Sequence, residues 1–106
     1  MSTQGRLAAI MSVANSQVAV YVVPQETVTT ATIAVVNTGT EAATVKIYIT
    51  VGSTPTQADA IEYNAVIQAG GVLERSCMPL GAGEKIIVEA NSSNLAVRVA
   101  GFEADI

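Results

Sequence analysis

Four carboxylates, Glu62, Glu74, Glu84 and Glu89, come nearest to a catalytic set in this chain. Paired carboxyl groups can hydrolyse a glycosidic bond when they stand a fixed distance apart. Spacing along the sequence sets no such distance here. The sequence contains no His, so the commonest general base, the usual imidazole metal ligand and a Ser-His-Asp arrangement are all missing. Small-molecule sites are commonly lined by aromatic rings, and only Tyr21, Tyr48, Tyr63 and Phe102 could supply them. The chain therefore reads as non-enzymatic, and no cofactor is expected.

Other patterns invite chemistry and have plainer explanations. Asp59 with Glu62, and Glu103 with Asp105, are close acids. Neither set has the spacing of a Ca²⁺ loop, so each reads as a solvated rim and no metal site is expected. Gly81-Ala82-Gly83 hints at a phosphate loop, but such loops lead into a helix N-terminus. Here Glu84-Lys85-Ile86-Ile87-Val88 follows with a strand pattern, so the glycines form a turn. Cys77 is the sole cysteine and has no partner for an internal disulfide. It is expected to be a small buried apolar residue. Arg75, two residues away, is the cation that a reactive thiol would need.

Two further side chains suggest contact rather than catalysis. Arg98 stands mid-strand between Ala96 and Ala100. Two readings stand equal: an Arg simply solvated between alanines, or one that pairs across a subunit interface, where small neighbours allow close approach and Arg suits polar contacts. Tyr48, with Lys46 and Thr50 on its strand face, is a similar candidate.

Stepping outward to composition, half of the 106 residues are hydrophobic, most of them Ala, Val and Ile, and only 13% are charged. Mean hydropathy is +0.45. A domain this small has a large surface for its volume, and that surface normally needs charge. An apolar excess of this kind points to a surface covered by other chains. The length fits one domain. Net charge is −4, and no window clusters Lys and Arg, so neither nucleic acid nor an anionic membrane is an expected partner. Asn, Gln, Thr or Gly interrupts every apolar run well short of the ~20 residues that span a bilayer.

The elements that must position these residues are strands. Apolar and polar residues alternate in short runs bounded by Gly, Pro, Asn and Ser. Strands are expected over 18–23, 28–36, 43–51, 60–68 with a break near Asn64, 72–78, 85–90 and 95–103. Segment 43–51 alternates most cleanly, with Val45, Ile47, Ile49 and Val51 on one face and Thr44, Lys46, Tyr48 and Thr50 on the other. With 28–36 and the Asn37-Thr38-Gly39-Thr40 turn, it reads as an antiparallel hairpin. Residues 57–60 leave room for one helical turn. Arg6 followed by Leu7-Ala8-Ala9-Ile10-Met11 is too short for a signal peptide, and residues 1–17 read as an N-terminal arm or first strand. Residues 18–106 form the domain. The fold class is all-β: a single antiparallel β-sandwich, jelly-roll or Ig-like, of seven or eight short strands.

The segments Ile33-Ala34-Val35-Val36-Asn37-Thr38-Gly39-Thr40 and Ala43-Thr44-Val45-Lys46-Ile47-Tyr48-Ile49 carry a family resemblance. So do Ile61-Glu62-Tyr63, Gln68-Ala69-Gly70-Gly71 with Leu73-Glu74-Arg75, Leu80-Gly81-Ala82-Gly83-Glu84-Lys85-Ile86, and Gly101-Phe102-Glu103. In order and spacing they resemble small virion structural proteins of tailed bacteriophages, across about residues 18–103. The resemblance implies a small β-sandwich that oligomerises, with a trimer expected, and that sits on the virion as a head decoration or cement protein. Neck, tail, baseplate and fibre modules, or a receptor- or carbohydrate-binding module, are the alternatives it leaves. It implies the major capsid protein or other virion proteins as partners, and carries over no catalytic residue.

Five aliphatics, Val45, Ile47, Ile49, Ile33 and Val35, suffice to fill a sandwich core. Ala34, Val36, Ala96, Ala100 and much of 7–14 then fall on outer faces or in the arm. The candidate interface residues are Arg98, Ala96, Ala100, Tyr48, Lys46, Leu7, Ile10 and Met11. Unpaired strand edges, with few inward charges or edge prolines, are a second expected route to association.

Overall fold

Period-two alternation sets eight strands, and the burial of their aliphatic faces stacks them in two sheets. The computed structural model describes residues 3–52 and 54–105. The strands are β1 (Thr3–Met11), β2 (Gln17–Val22), β3 (Thr27–Asn37), β4 (Ala43–Thr50), β5 (Ala60–Ile67), β6 (Val72–Leu80), β7 (Lys85–Ala90) and β8 (Leu95–Asp105). A 3₁₀ turn, Gln57–Asp59, precedes β5. The first sheet runs β1-β8-β3-β6 and the second β2-β7-β4-β5, all antiparallel.

The pairing is nested: β1 with β8, β2 with β7, β3 with β6 and β4 with β5. It is as if one long hairpin, its tip between β4 and β5, had been rolled over. The pairs β8·β3 and β7·β4 then close each sheet. This is the jelly-roll order, one of the two sandwich topologies that the sequence left open. The first strand lies within residues 1–17, where β1 borders the first sheet and turns Leu7, Ala8 and Ile10 against the core.

Core packing follows the alternation. Ile33, Val35, Val97, Val99 and Leu95 from the first sheet meet Val45, Ile47, Ile86 and Val88 from the second, and all are essentially inaccessible to water. Burying each such side chain contributes about 1.5–3 kcal/mol. Ile49 packs at the margin of the same cluster. No buried side-chain polar atom among the described residues lacks a hydrogen bond.

The structure corrects the expected hairpin of 28–36 with 43–51. β3 and β4 lie in different sheets and do not pair. Every connection except β4–β5 carries the chain from one sheet to the other. Asn37 explains the crossing at 38–42. Its buried amide nitrogen donates to the carbonyls of Glu41 (2.8 Å) and Ile67 (2.9 Å), and its side-chain oxygen accepts from Gly39 N (2.9 Å). The side chain holds open an arch where a tight turn would have folded β4 back beside β3.

The expectation of unprotected edges also needs correction. β1, β2, β5 and β6 are the edge strands, and the pairing of each with its neighbour is interrupted by a register shift. The interior pairs β3·β8 and β4·β7 run without interruption. Bulges twist an edge out of line and block pairing with another chain. Asn64 in β5 and Cys77 in β6 take positive φ, 57° and 56°, at these irregularities. Pro79 further blunts β6.

Candidate functional site

The outer faces of the two sheets differ in kind. On the second sheet, Gln17, Glu89 and Lys46 lie in one cross-strand row. Gln17 Nε2 donates to Glu89 Oε1 (3.3 Å), and Lys46 Nζ sits 5.0 Å from the centre of the Tyr63 ring. On that face these bonded polar groups stand beside exposed Val22, Tyr63 and Val66. Tyr48, expected as an accessible contact residue, lies on this face yet is only 6% exposed. It pairs directly with Ile87, which is buried too, and the 3₁₀ turn packs against β4. Burial holds the Tyr48 phenol above its ordinary pKa, with further contributions from Glu89 and Tyr63. The nine-residue return from β4 to β5 brings this turn back over the sheet, which strand periodicity alone gives no way to foresee.

On the first sheet the outer face is largely apolar. Its rows follow from the strand register. Met11, Ala96, Val36 and Val72 form one row across β1, β8, β3 and β6. Ala9, Arg98, Ala34 and Glu74 form the next, and exposed Arg6 with Ala100 and Thr32 the one after. Phe102, Thr30 and Pro79 lie further along. Met11, Val36, Val72, Phe102 and Val28 are all exposed. Between β1 and β3 the face dips into a shallow hollow of about 530 Å³ lined by Ala9, Met11, Ala34, Val36, Ala96 and the Arg98 stem.

Arg98 is thus ringed by alanine: Ala96 and Ala100 along β8, Ala9 and Ala34 across it. It is exposed and makes no hydrogen bond or ion pair among the described residues. Of the eight candidate contact residues, Arg98, Ala96, Ala100 and Met11 come together on this face. Leu7 and Ile10 turn from β1 toward the core, and Lys46 and Tyr48 belong to the opposite sheet. Sequence reasoning left Ala9 among 7–14, on an outer face or in the arm, and missed Val72 and Glu74 as members of the face. Only the non-local register of β1 and β6 brings them there.

The groups with chemical potential are dispersed or already bonded. Glu62 pairs with Arg75 (2.5 Å), which also donates to Ile61 O (3.0 Å), clasping the edges of the two sheets together. Glu84 accepts from Gly81 N (2.6 Å). Tyr21 donates to Glu103 and bonds Thr29 Oγ1 (2.9 Å). Among the described residues no group of three His, Cys, Asp or Glu is placed to hold a metal ion. A polar recess of about 360 Å³ lies between loops 39–42 and 91–94, but its Asn91 side chain is engaged by Thr44 N (3.0 Å). Cys77 is exposed, against the expectation of a buried thiol. The bulge in β6 swings it out of the ladder, and its backbone N–H reaches Thr32 Oγ1 (3.4 Å).

No protein-family model matches the chain, and no curated protein matches it. Among solved structures it is similar to a pentameric capsid protein from metagenomic phage sequences, at 18% identity and a TM-score of 0.39. That match covers 93% of this chain and spans 61% of the capsid chain. It is also similar to the Anabaena sensory rhodopsin transducer, at 15% identity and a TM-score of 0.36, over 92% of this chain and 100% of the other. Likenesses this distant carry no argument about activity, and the jelly-roll fold itself hosts many functions.

Proposed function

We propose that this chain is a non-enzymatic structural component of a tailed-phage virion, namely a capsid decoration or cement protein that self-associates and stabilises the particle. The sequence resemblance across about residues 18–103 supports the virion setting. The observation that carries the assembly role is the outer face of the first sheet. An exposed apolar face rimmed by polar residues is the usual mark of a surface that meets another chain. The partners on this reading are sister copies, as the trimer implied by the resemblance, and the major capsid protein.

Particles of the phage that carries this gene provide the test. Mass spectrometry of purified virions should find the chain at a fixed copy ratio to the major capsid protein. Antibody labelling should place it on the head. Heads made without it should open at lower temperature. A chain absent from particles overturns the proposal, and label on the neck, tail or fibre overturns the decoration role.

A further inference from the structure

The row Arg98–Ala34–Glu74 sets an exposed cation and an exposed carboxylate on either side of a small residue. Arg98 on β8 and Glu74 on β6 flank Ala34 on β3 in register. Two strand spacings, about 10 Å, separate their backbones, and no ion pair joins them within the chain. Both are exposed, and neither has a partner among the described residues.

We infer that two copies pack these faces together about a two-fold axis running along β3. Such an axis places Ala34 on Ala34, where the small side chains allow close approach. It sets Arg98 of each copy over Glu74 of the other, so the pair forms twice. In the next row it lays Ala96 over Val72, and Val36 over its own counterpart. Aligned sheets pack about 10 Å apart in this way. An axis through β8 would instead set Arg98 against Arg98, so charge selects between the two arrangements. On the second sheet the charged groups Glu89 and Lys46 already meet Gln17 and Tyr63 within the chain.

Under this axis β8, β3 and β6 overlap while β1 overhangs, so three strands at sheet spacing and some 20 Å of strand length give roughly 300 Å² per copy, below the size of a stable specific interface. The contact is therefore a reversible one, formed at high local concentration. It rests on the self-association reading above, adds a two-fold contact to it, and leaves the loop ends free for other contacts.

Charge exchange tests it. Sedimentation velocity over a concentration series should show reversible two-fold association of the intact protein. Arg98→Glu and Glu74→Arg should each weaken that association at least about tenfold, because each sets like charges together twice. The double variant R98E/E74R should restore it to within a few-fold of the original. Circular dichroism on each variant separates lost contact from lost fold. Association that ignores both single exchanges overturns this contact while leaving self-association standing. A double variant as weak as the single ones also overturns it, and if head binding is lost with it the face belongs to the capsid. A chain that stays monomeric at all concentrations overturns both readings.

Discussion

Tyr21 on β2 donates its phenolic hydrogen to Glu103 on β8, so one hydrogen bond joins the two sheets. The same hydroxyl accepts from Thr29 Oγ1 on β3 at 2.9 Å. Burial, then the Glu103 hydrogen bond, pushes the Tyr21 pKa up to about 12.

The first prediction follows from that shift. A phenol whose folded pKa is raised holds its proton in the native state after the unfolded chain has lost it. Its contribution is complete below about pH 10 and disappears as pH rises toward 12. Urea midpoints across this window should fall more steeply for the wild type than for Tyr21→Phe. At neutral pH, Tyr21→Phe should cost about 1–3 kcal/mol, because Glu103 and the Thr29 hydroxyl lose a partner. Equal pH slopes for the two proteins would show that other groups govern the alkaline limb.

Asn37 should be more sensitive. Its side chain makes three hydrogen bonds in a fully buried corner. Asn37→Ala strands two carbonyls and an N–H, and should cost about 3 kcal/mol in chemical denaturation. Asn37→Asp loses both donors and should do no better.

Gly101 forbids a side chain for a steric reason. A Cβ there would stand 2.0 Å from Thr30 O and 3.0 Å from Ala31 Cα, both backbone atoms of β3. Gly101→Ala must therefore push apart the interior pair β3·β8. The expected loss is about 3 kcal/mol or more, a large share of the 5–15 kcal/mol typical of a small domain. A melting temperature within a degree of the wild type would contradict the close approach.

Cys77 is exposed on the β6 bulge. A small disulfide reagent should titrate one thiol in the native protein at low protein concentration, and adding urea should reveal no more. Reaction only after unfolding would return Cys77 to the interior.

Much of the fold was legible because it is local. Alternation of Val45, Ile47 and Ile49 with Thr44, Lys46 and Tyr48 declares a strand and its two faces before any partner is known. The irregularity at Asn64 showed for the same reason. What failed was non-local. Nothing in Asn37-Thr38-Gly39-Thr40 says that the chain crosses to the other sheet, since that depends on Asn37 reaching Ile67, thirty residues on. Tyr48 sits on the outward face as its periodicity requires, and only a returning connection covers it. Likewise, the alanines around Arg98 along β8 are visible in sequence, while Ala9, Ala34 and Glu74 reach its row through register alone.

The four interrupted edges decide what kind of growth this molecule permits. Where an intact edge is extended by a copy, the newcomer presents a fresh edge, and addition continues into a fibre. Here each border is broken on its own strand, which works against backbone-to-backbone polymerisation from its first step. Crowded copies of a chain half made of hydrophobic residues then meet through side-chain faces rather than through continuous backbone ladders.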